Sequence, residues 1–263
     1  MADRPTDNAL GILSRSRVFQ GVPSADLERL AARCACERYR KGAVISRRGN
    51  PGEALTVLGR GRVKATLPSP GAEGEFLVAM FWPGDVFGEA AVFENLARPA
   101  TGIAITEVEV AFVPRAELLT LIERRPAVSL RLIEALCEKL RTALDLSLSM
   151  RFLDVPSRFY QRLLYLARFD SRRDGDGVRI HHGLSQHELA DSIGASREAL
   201  NKVIAEWKRS GLLEWGRGYV VVRDPSLLAQ RIPPEVRSET ILGIATHLDA
   251  VAARPFADGP KVR

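Results

Sequence analysis

The sequence predicts an α+β protein in which a β domain, one long helix and a winged helix-turn-helix follow one another. Three observations carry this prediction. Short apolar stretches alternate with turn residues between Arg40 and Val113. The segment from Val113 to Asp174 contains no glycine, which favours helices there. Two helices are joined by a short turn around Gly194. We expect a tail over 1–17, the β domain over 18–126, the long helix over 127–150, the winged helix-turn-helix over 151–229 and a C-terminal extension over 230–263.

Composition limits the classes of function. The 263 residues suffice for two domains, 46% hydrophobic residues can fill their cores, and no apolar run approaches the roughly 18 residues of a membrane span. The N-terminus lacks the apolar segment of a signal peptide, so we expect a cytoplasmic protein with no membrane partner. Three cysteines argue against a disulfide framework. The net charge of +6 favours an anionic partner.

The β domain is predicted from brief apolar stretches separated by turn signals such as RGNPGE, SPGAEGE and WPGD. The strand candidates are AVI (43–45), ALTVL (54–58), RVKATL (62–67), FLVAMF (76–81), TGIAI (101–105) and VEVAFV (108–113). Such spacing is typical of a small antiparallel barrel or sandwich. Ahead of the strands we expect a loose lead-in and then a helix over 24–39, capped by Ser24.

After the β domain, a short helix is expected to begin at Pro114 and a long one to cover 127–150. Apolar and small side chains three and four residues apart form a seam on the long helix: Ile133, Leu136, Leu140, Ala143, Ser147 and Met150. Such a seam can pair with a second copy, so we expect a homodimer. The alternative is a helix packed on its own β domain. An amphipathic helix over 155–169 and a polar loop, SRRDGDG, follow.

Two short helices are predicted between residues 185 and 209. Ser185 and Glu188 match a capping box, and the helix that they open ends at Gly194, whose missing Cβ suits a left-handed turn. Ser196 can cap the second helix. Two helices joined in this way, with a hairpin over 216–222 as a wing, predict a winged helix-turn-helix.

The second helix, 196–209, has two different faces. At about 100° per residue, its apolar side chains share one side, which consists of Leu200, Val203, Ile204 and Trp207. Arg197, Glu198, Asn201 and Lys202 form a polar face near its N-terminus. A recognition helix has this layout, because its early residues reach base edges in the major groove. The alternative is a polar face that is simply solvated.

GASREALNK (194–202) resembles the recognition segment of the Crp/Fnr family of bacterial transcription regulators, and FLDVPSRF (152–159) is similar to that family's hinge. The resemblance covers about residues 18–229. It implies a cyclic-nucleotide-binding-like β-barrel (a jelly roll), a dimerisation helix and a DNA-binding winged helix. It further implies a DNA-binding set of Ser185, Gln186, Ser196, Arg197, Glu198, Asn201 and Lys202. Ser196 would touch phosphate, whereas Arg197, Glu198 and Lys202 would face bases. Lys202 stands where the cyclic-AMP receptor has Arg, which leaves the base preference open.

FGEAAVFENLARPATGIA (87–104) resembles the family's phosphate-binding cassette. The candidate ligand-binding residues are Gly88, Glu89, Ala90, Arg98, Pro99 and Ala100, and the implied effector is cyclic AMP or cyclic GMP. Arg98 would bind the phosphate and Glu89 a ribose hydroxyl. Pro99 has no N–H for the phosphate, and Ala143 and Leu144 have no hydroxyl for the base. An effector-independent regulator, with Arg98 paired to Glu89 or another acid, therefore stays open.

Two classes of function remain. The first is a homodimeric transcription factor that binds a palindromic operator in double-stranded DNA, with RNA polymerase as a further partner. The second is a ligand-binding regulatory subunit that acts on a partner protein through its winged helix. We expect neither an enzyme nor a metal site, since the chain lacks a Walker loop and a nucleophile elbow. Cys34, Cys36 and Cys137 are too few for the four-cysteine cluster of the family's iron–sulfur sensors, and on a helix Cys34 and Cys36 would point apart.

Overall fold

The computed structural model describes residues 5–68, 75–175 and 177–224. The chain divides into two compact units, Met1–Arg141 and Thr142–Arg263. The expected C-terminal extension over 230–263 lies outside the described residues. Within the described part of the chain, no helix is both long enough and apolar enough to cross a membrane.

The N-terminal segment is helical, so the expected loose lead-in is wrong. Helix α1 (Pro5–Arg15) buries Ala9, Ile12 and Leu13 completely, and a 3-10 turn (Arg17–Phe19) follows it. Burial of these apolar side chains offsets the entropy that is lost when the segment becomes ordered.

Helix α2 (Ser24–Ala31) is shorter than the helix expected over 24–39. Its N-cap is Pro23, so Ser24 is the first helical residue and does not cap the helix. Leu27 and Leu30 are buried, as their helical spacing predicts.

Strand β1 (Ala35–Tyr39) takes the second half of the expected helix. It pairs antiparallel with β8 (Val108–Pro114), and Cys36 lies opposite Ala111. The ladder satisfies backbone groups that a helix would have satisfied locally. The helical angle assumed between Cys34 and Cys36 is therefore wrong.

Two antiparallel four-stranded sheets form the body of the first unit. Besides β1 and β8, their strands are β2 (Val44–Ser46), β3 (Ala54–Arg60), β4 (Val63–Pro68), β5 (Glu75–Phe81), β6 (Val86–Phe87) and β7 (Thr101–Ala104). One sheet has the order β1-β8-β3-β6, and the other has the order β2-β7-β4-β5. Leu58 and Val110 of the first sheet share a core with Val63 and Phe81 of the second. Among the described residues, the two sheets form a jelly-roll sandwich and do not close into a barrel.

Helices α3 (Glu89–Glu94) and α4 (Arg115–Arg124) also belong to this unit, and α5 (Ala127–Phe152) begins in it and continues into the second unit. α5 confirms the predicted long helix and extends it to Phe152. Val128 and Leu132 are buried in the core of the first unit, as the packing alternative requires. Leucine and isoleucine side chains remain exposed elsewhere on α5, namely Leu130, Ile133, Leu136, Leu140, Leu144 and Leu148. We call these six residues the α5 seam. Ile133, Leu136 and Leu140 of the predicted seam belong to it, and the predicted Ala143, Ser147 and Met150 are exposed as well.

The second unit contains α6 (Val155–Ala167), α7 (Gln186–Asp191), α8 (Arg197–Arg209) and a four-stranded sheet. The sheet has the order β11-β12-β10-β9, with β9 (Ser171–Asp174), β10 (Gly177–His181), β11 (Leu213–Gly216) and β12 (Tyr219–Val222). The β11–β12 hairpin confirms the wing. The segment SRRDGDG is not only a loop, because β9 pairs with β10 and covers the edge of a strand that buries Val178 and Ile180.

Aromatic rings hold α8 on α6. Phe159 stacks on Trp207 with ring centroids 5.3 Å apart, and Trp215 of the wing lies 6.4 Å from Phe159. Trp207 is completely buried. The rear of α8 is thus anchored in the core of the second unit.

Candidate functional site

The two helices of the helix-turn-helix begin as the sequence predicts. Ser185 Oγ accepts from the Glu188 amide at 3.2 Å, and Glu188 Oε2 accepts from the Ser185 amide at 2.7 Å, which completes the capping box. Gly194 adopts a left-handed conformation with φ of 59°. Ser196 Oγ accepts from the Ala199 amide at 3.1 Å and so caps α8. Each serine hydroxyl keeps its proton to donate elsewhere.

The faces of α8 also match the prediction. Its rear consists of the buried side chains Leu200, Val203, Ile204 and Trp207. At its front, Arg197, Glu198 and Lys202 are exposed and Asn201 is half-buried. None of these four side chains forms a hydrogen bond or an ion pair with another residue that the structure describes. The front of α8 therefore offers donors and acceptors that are open to a partner.

A shallow groove joins the front of α8 to the wing. Its volume is about 460 Å³, and its lining consists of Gln186, Asn201, Ile204, Ala205, Lys208, Arg209 and Trp215. Gln186 and Asn201 are thereby brought to one place, as expected of a common site. Lys208, Arg209 and Trp215 lie outside the predicted DNA-binding set, although helical spacing from Asn201 points to Ala205 and Lys208.

The wing ends in a tight turn that exposes Arg217. Gly216 leaves room there for the Tyr219 ring, which a Cβ at this position would approach to 2.1 Å. On the adjacent strand, the Arg179 guanidinium lies 4.2 Å from the centroid of the same ring. The tip of the wing thus carries a cation, Arg217, that lies outside the predicted DNA-binding set.

In the first unit, Gly88 and Arg98 of the candidate cassette are in close contact. Gly88 is the N-cap of α3 with φ of 87°, and a Cβ there would lie 2.2 Å from Arg98 Nη1. Arg98 is buried, with 8% of its surface exposed, and Nη2 donates to the Ala54 carbonyl at 2.9 Å. Burial lowers the pKa of Arg98, and the charge of Glu89 opposes this shift.

Lys139, rather than Arg98, forms the ion pair with Glu89. Lys139 Nζ lies 2.9 Å from Glu89 Oε1, so the alternative in which Arg98 pairs with Glu89 is wrong. Glu89 Oε2 is buried and has no hydrogen-bond partner among the described residues. An unpaired buried carboxylate oxygen can accept a hydrogen bond from a hydroxyl group, which is the contact expected from a ribose.

The fit of the cassette to a cyclic phosphate depends on the Arg98 side chain. The Arg98 amide is taken by the Asn50 carbonyl at 2.8 Å, and Pro99 has no amide proton. Ala90 and Pro99 are exposed and Ala100 is half-buried, so none of the three contributes a polar side chain. The residues present fit the anion and the ribose through Arg98 and Glu89.

The cysteines give no sign of a sensor. Cys34 and Cys36 are half-buried free thiols, and Cys137 is exposed. Burial raises the pKa of Cys34 to about 12 and also raises the pKa of Cys36, so both stay protonated at neutral pH. Across the described residues, no three His, Cys, Asp or Glu side chains are arranged to hold a metal ion.

Comparison with known proteins agrees with both halves of this arrangement. Residues 36–125 match the family model of the cyclic nucleotide-binding domain, and residues 157–231 match that of the Crp-like helix-turn-helix domain. The CRP-like cAMP-activated global transcriptional regulator of Mycobacterium tuberculosis is 32% identical over 84% of this chain and 98% of its own length. The cyclic AMP receptor protein of Thermus thermophilus is 30% identical over 82% of this chain and 96% of its own length.

Solved structures show the same fold. A transcriptional regulator of the CRP family from Thermus thermophilus is 27% identical, with a TM-score of 0.63 over 74% of this chain and 95% of its own. The c-di-GMP responsive global regulator CLP of Xanthomonas campestris is 23% identical, with a TM-score of 0.68 over 77% of this chain and 100% of its own.

Proposed function

We propose that this chain, which belongs to the Crp/Fnr family of transcription regulators, binds an inverted-repeat operator as a homodimer through the front of α8. It is a regulator with a cyclic nucleotide-binding domain and a helix-turn-helix domain, and not an enzyme. DNA in the cytoplasm is its proposed target, and RNA polymerase is a further proposed partner.

The observation that carries the proposal is the open polar front of α8 above a fixed apolar rear. Arg197 can donate two parallel hydrogen bonds to guanine, and Glu198 can accept from cytosine. Lys202 supplies a point donor rather than a planar fork. Because Trp207 and its neighbours hold the helix from behind, these side chains enter a groove without reordering the helix.

Contacts to the phosphate backbone of the DNA would position α8 on the duplex. Ser185 and Ser196 keep a hydroxyl proton for phosphate, and Gln186 and Asn201 line the groove beside α8. Lys208 and Arg209, which line the same groove, and Arg217 at the wing tip add positive charge. These contacts fix orientation, whereas the front of α8 reads sequence.

The α5 seam supports the homodimer. Six leucine and isoleucine side chains on one helix are exposed, and five of them are at least half exposed, which a solitary chain would leave in water. Pairing of two such helices buries the seam. Two copies of α8 would then read successive major grooves about 34 Å apart, which requires an inverted repeat.

The cassette around Gly88 is the proposed effector site. The proposed effector is cyclic AMP or cyclic GMP. Arg98 would bind its cyclic phosphate, and Glu89 Oε2 would accept a hydrogen bond from a ribose hydroxyl. An effector that prefers one packing of α5 would shift the population of dimers that can bind DNA.

Affinity measurements on two duplexes test the proposal. A duplex that wild-type protein selects from a random pool serves as the operator, and a random-sequence duplex serves as the reference. Arg197→Ala should weaken operator binding by about 1–3 kcal/mol and affect the reference much less. Arg172→Ala, on the exposed face of β9, controls for the loss of one positive charge.

Three results would count against the proposal. Equal losses on both duplexes would contradict base reading by Arg197. The other two results are that wild-type protein selects no duplex, or that its affinity for DNA does not depend on the salt concentration. Either result would favour the alternative function, a regulatory subunit that acts on a partner protein through its winged helix.

A further inference from the structure

The turn between α7 and α8 ends α7 with a Schellman motif. The Ala195 amide donates to the Ala190 carbonyl at 3.0 Å, and the Gly194 amide donates to the Asp191 carbonyl at 3.0 Å. This motif satisfies the carbonyls of Ala190 and Asp191. The carbonyls that follow them in the chain have no partner within the helix.

Two arginines of α6 bind carbonyls of this turn. Arg162 Nη2 donates to the Ser192 carbonyl at 2.6 Å, and Arg158 Nη1 donates to the Gly194 carbonyl at 3.2 Å. The two arginines are four residues apart, so they project from the same side of α6. A cation at the C-terminal end of α7 also interacts favourably with the helix dipole.

The contacts around both arginines are close. Arg162 is half-buried, its guanidinium lies 5.5 Å from the centroid of the Tyr165 ring, and burial lowers the pKa of this guanidinium. A Cβ at Gly194 would lie 3.2 Å from Arg158 Nη1 and 3.3 Å from Met150 Cε. The turn is thus enclosed by α6 and by the end of α5.

α6 therefore holds α8 at two places. At the rear, Phe159 stacks on Trp207. At the front, Arg158 binds the carbonyl of Gly194, which comes two residues before the N-cap Ser196. The buried side chains at the rear hold the apolar side of α8, whereas the Arg158 bond holds the backbone that leads into its N-terminal end.

We infer that Arg158 and Arg162 are positioning residues for the recognition helix, because their bonds to the turn carbonyls set where the first turn of α8 lies. The inference rests on the proposed function and extends it to residues outside the DNA-binding set. Neither arginine has to touch DNA. Their loss lowers the affinity for the operator by letting Arg197 and Glu198 move away from the geometry that base edges require.

Four variants of the full-length chain test the inference. Arg162→Met and Arg158→Met remove the donors and keep an unbranched side chain. Arg162→Lys restores a cation and a donor, and Arg172→Met removes a charge from the second unit without touching the turn. Each variant is measured against the selected operator and the random-sequence duplex, well below its thermal midpoint.

We expect Arg162→Met to weaken operator binding about tenfold or more, the loss of a charge-assisted hydrogen bond. The affinity of Arg162→Met for the random-sequence duplex should fall only as far as that of Arg172→Met, because both variants lose one positive charge. Arg162→Lys should recover part of the ratio of operator to random affinity. A folded Arg162→Met or Arg158→Met with the wild-type ratio would overturn the inference for that residue.

Hydrogen exchange of the amides over 195–199 gives a readout that does not depend on DNA. Exchange there should accelerate in Arg162→Met and Arg158→Met, while exchange in α6 stays at the wild-type rate. Uniform acceleration would show a loss of stability rather than of positioning and would contradict the inference. If wild-type protein does not discriminate between the duplexes, the proposed function fails, and exchange over 195–199 alone decides whether the arginines hold the turn.

Discussion

Lys139 Nζ lies 2.9 Å from Glu89 Oε1 and donates a hydrogen bond to the Val86 carbonyl at 2.8 Å, so α5 is bonded directly to the cassette. The same amine lies 5.2 Å from the centroid of the Phe81 ring. Glu89 is nearly buried, with 9% of its surface exposed, and Lys139 compensates its charge. Any movement of α5 must therefore alter the surroundings of Glu89, the residue that we propose binds the ribose.

Lys139→Met should destabilise the protein by about 1–3 kcal/mol, because it leaves a buried carboxylate without its cation. The double variant Lys139→Met with Glu89→Gln should lose less than the sum of the two single variants, because the charge that needed a cation is gone. Urea unfolding of the four proteins measures the coupling. Strictly additive losses would show that the Lys139–Glu89 contact is not a stabilising pair.

Arg98→Leu should weaken binding of the effector by about 1.5–3 kcal/mol, since Pro99 supplies no amide and the Arg98 side chain must hold the phosphate. Calorimetric titration of the full-length protein with cyclic AMP and with cyclic GMP measures this. Arg48→Leu, an exposed arginine in the neighbouring loop, is the matched control. Absence of heat from wild-type protein at millimolar concentrations of both nucleotides would contradict the proposed effector.

Leu140→Glu should yield monomers, because it places a charge in the centre of the α5 seam of both subunits. Light scattering after size exclusion should give twice the mass of one chain for wild-type protein and one mass for this variant. Arg141→Glu, a charge change at the next exposed residue, should remain dimeric. A dimeric Leu140→Glu would exclude the seam as the dimer contact.

The ion pair between Asp26 and Arg125 predicts a dependence of stability on pH. Arg125 Nε lies 2.7 Å from Asp26 Oδ2, and this hydrogen bond holds the pKa of Asp26 below its ordinary value, against the effect of burial. Since the pKa is lower in the folded state, the stabilisation is present above about pH 3.9 and is lost as pH falls through the folded value. Asp26→Asn should thus lower the free energy of unfolding at pH 7 and make little difference near pH 2. A difference that is the same at both pH values would contradict this account.

Local signals in the sequence sufficed for the two helices of the helix-turn-helix. Ser185, Gly194 and Ser196 act within a few residues of themselves, so capping and the turn follow from the sequence alone. The two faces of α8 follow from its periodicity, since Trp207 and its neighbours bury the side that the angle predicts.

Contacts over long distances in the chain could not be predicted in this way. Cys36 lies in a strand because Ala111, far along the chain, offers a ladder partner. Lys139 is 50 residues from Glu89, and Arg162 is 30 residues from Ser192. From the local sequence, Lys139 and Arg162 are indistinguishable from solvent-exposed charges on amphipathic helices. Only the fold shows which groups they bind.

Operator selection with a variant of the front of α8 tests the central claim most directly. Glu198→Ala and wild-type protein each select duplexes from the same random pool, with Glu206→Ala, an exposed acid elsewhere on α8, as the control. We predict that Glu198→Ala changes the preferred base at one position in each half-site and keeps the spacing of about 10 base pairs between half-site centres. The Glu206→Ala motif should match the wild-type motif. An unchanged motif for Glu198→Ala, or a loss of preference at every position alike, would contradict base reading by Glu198 from the front of α8.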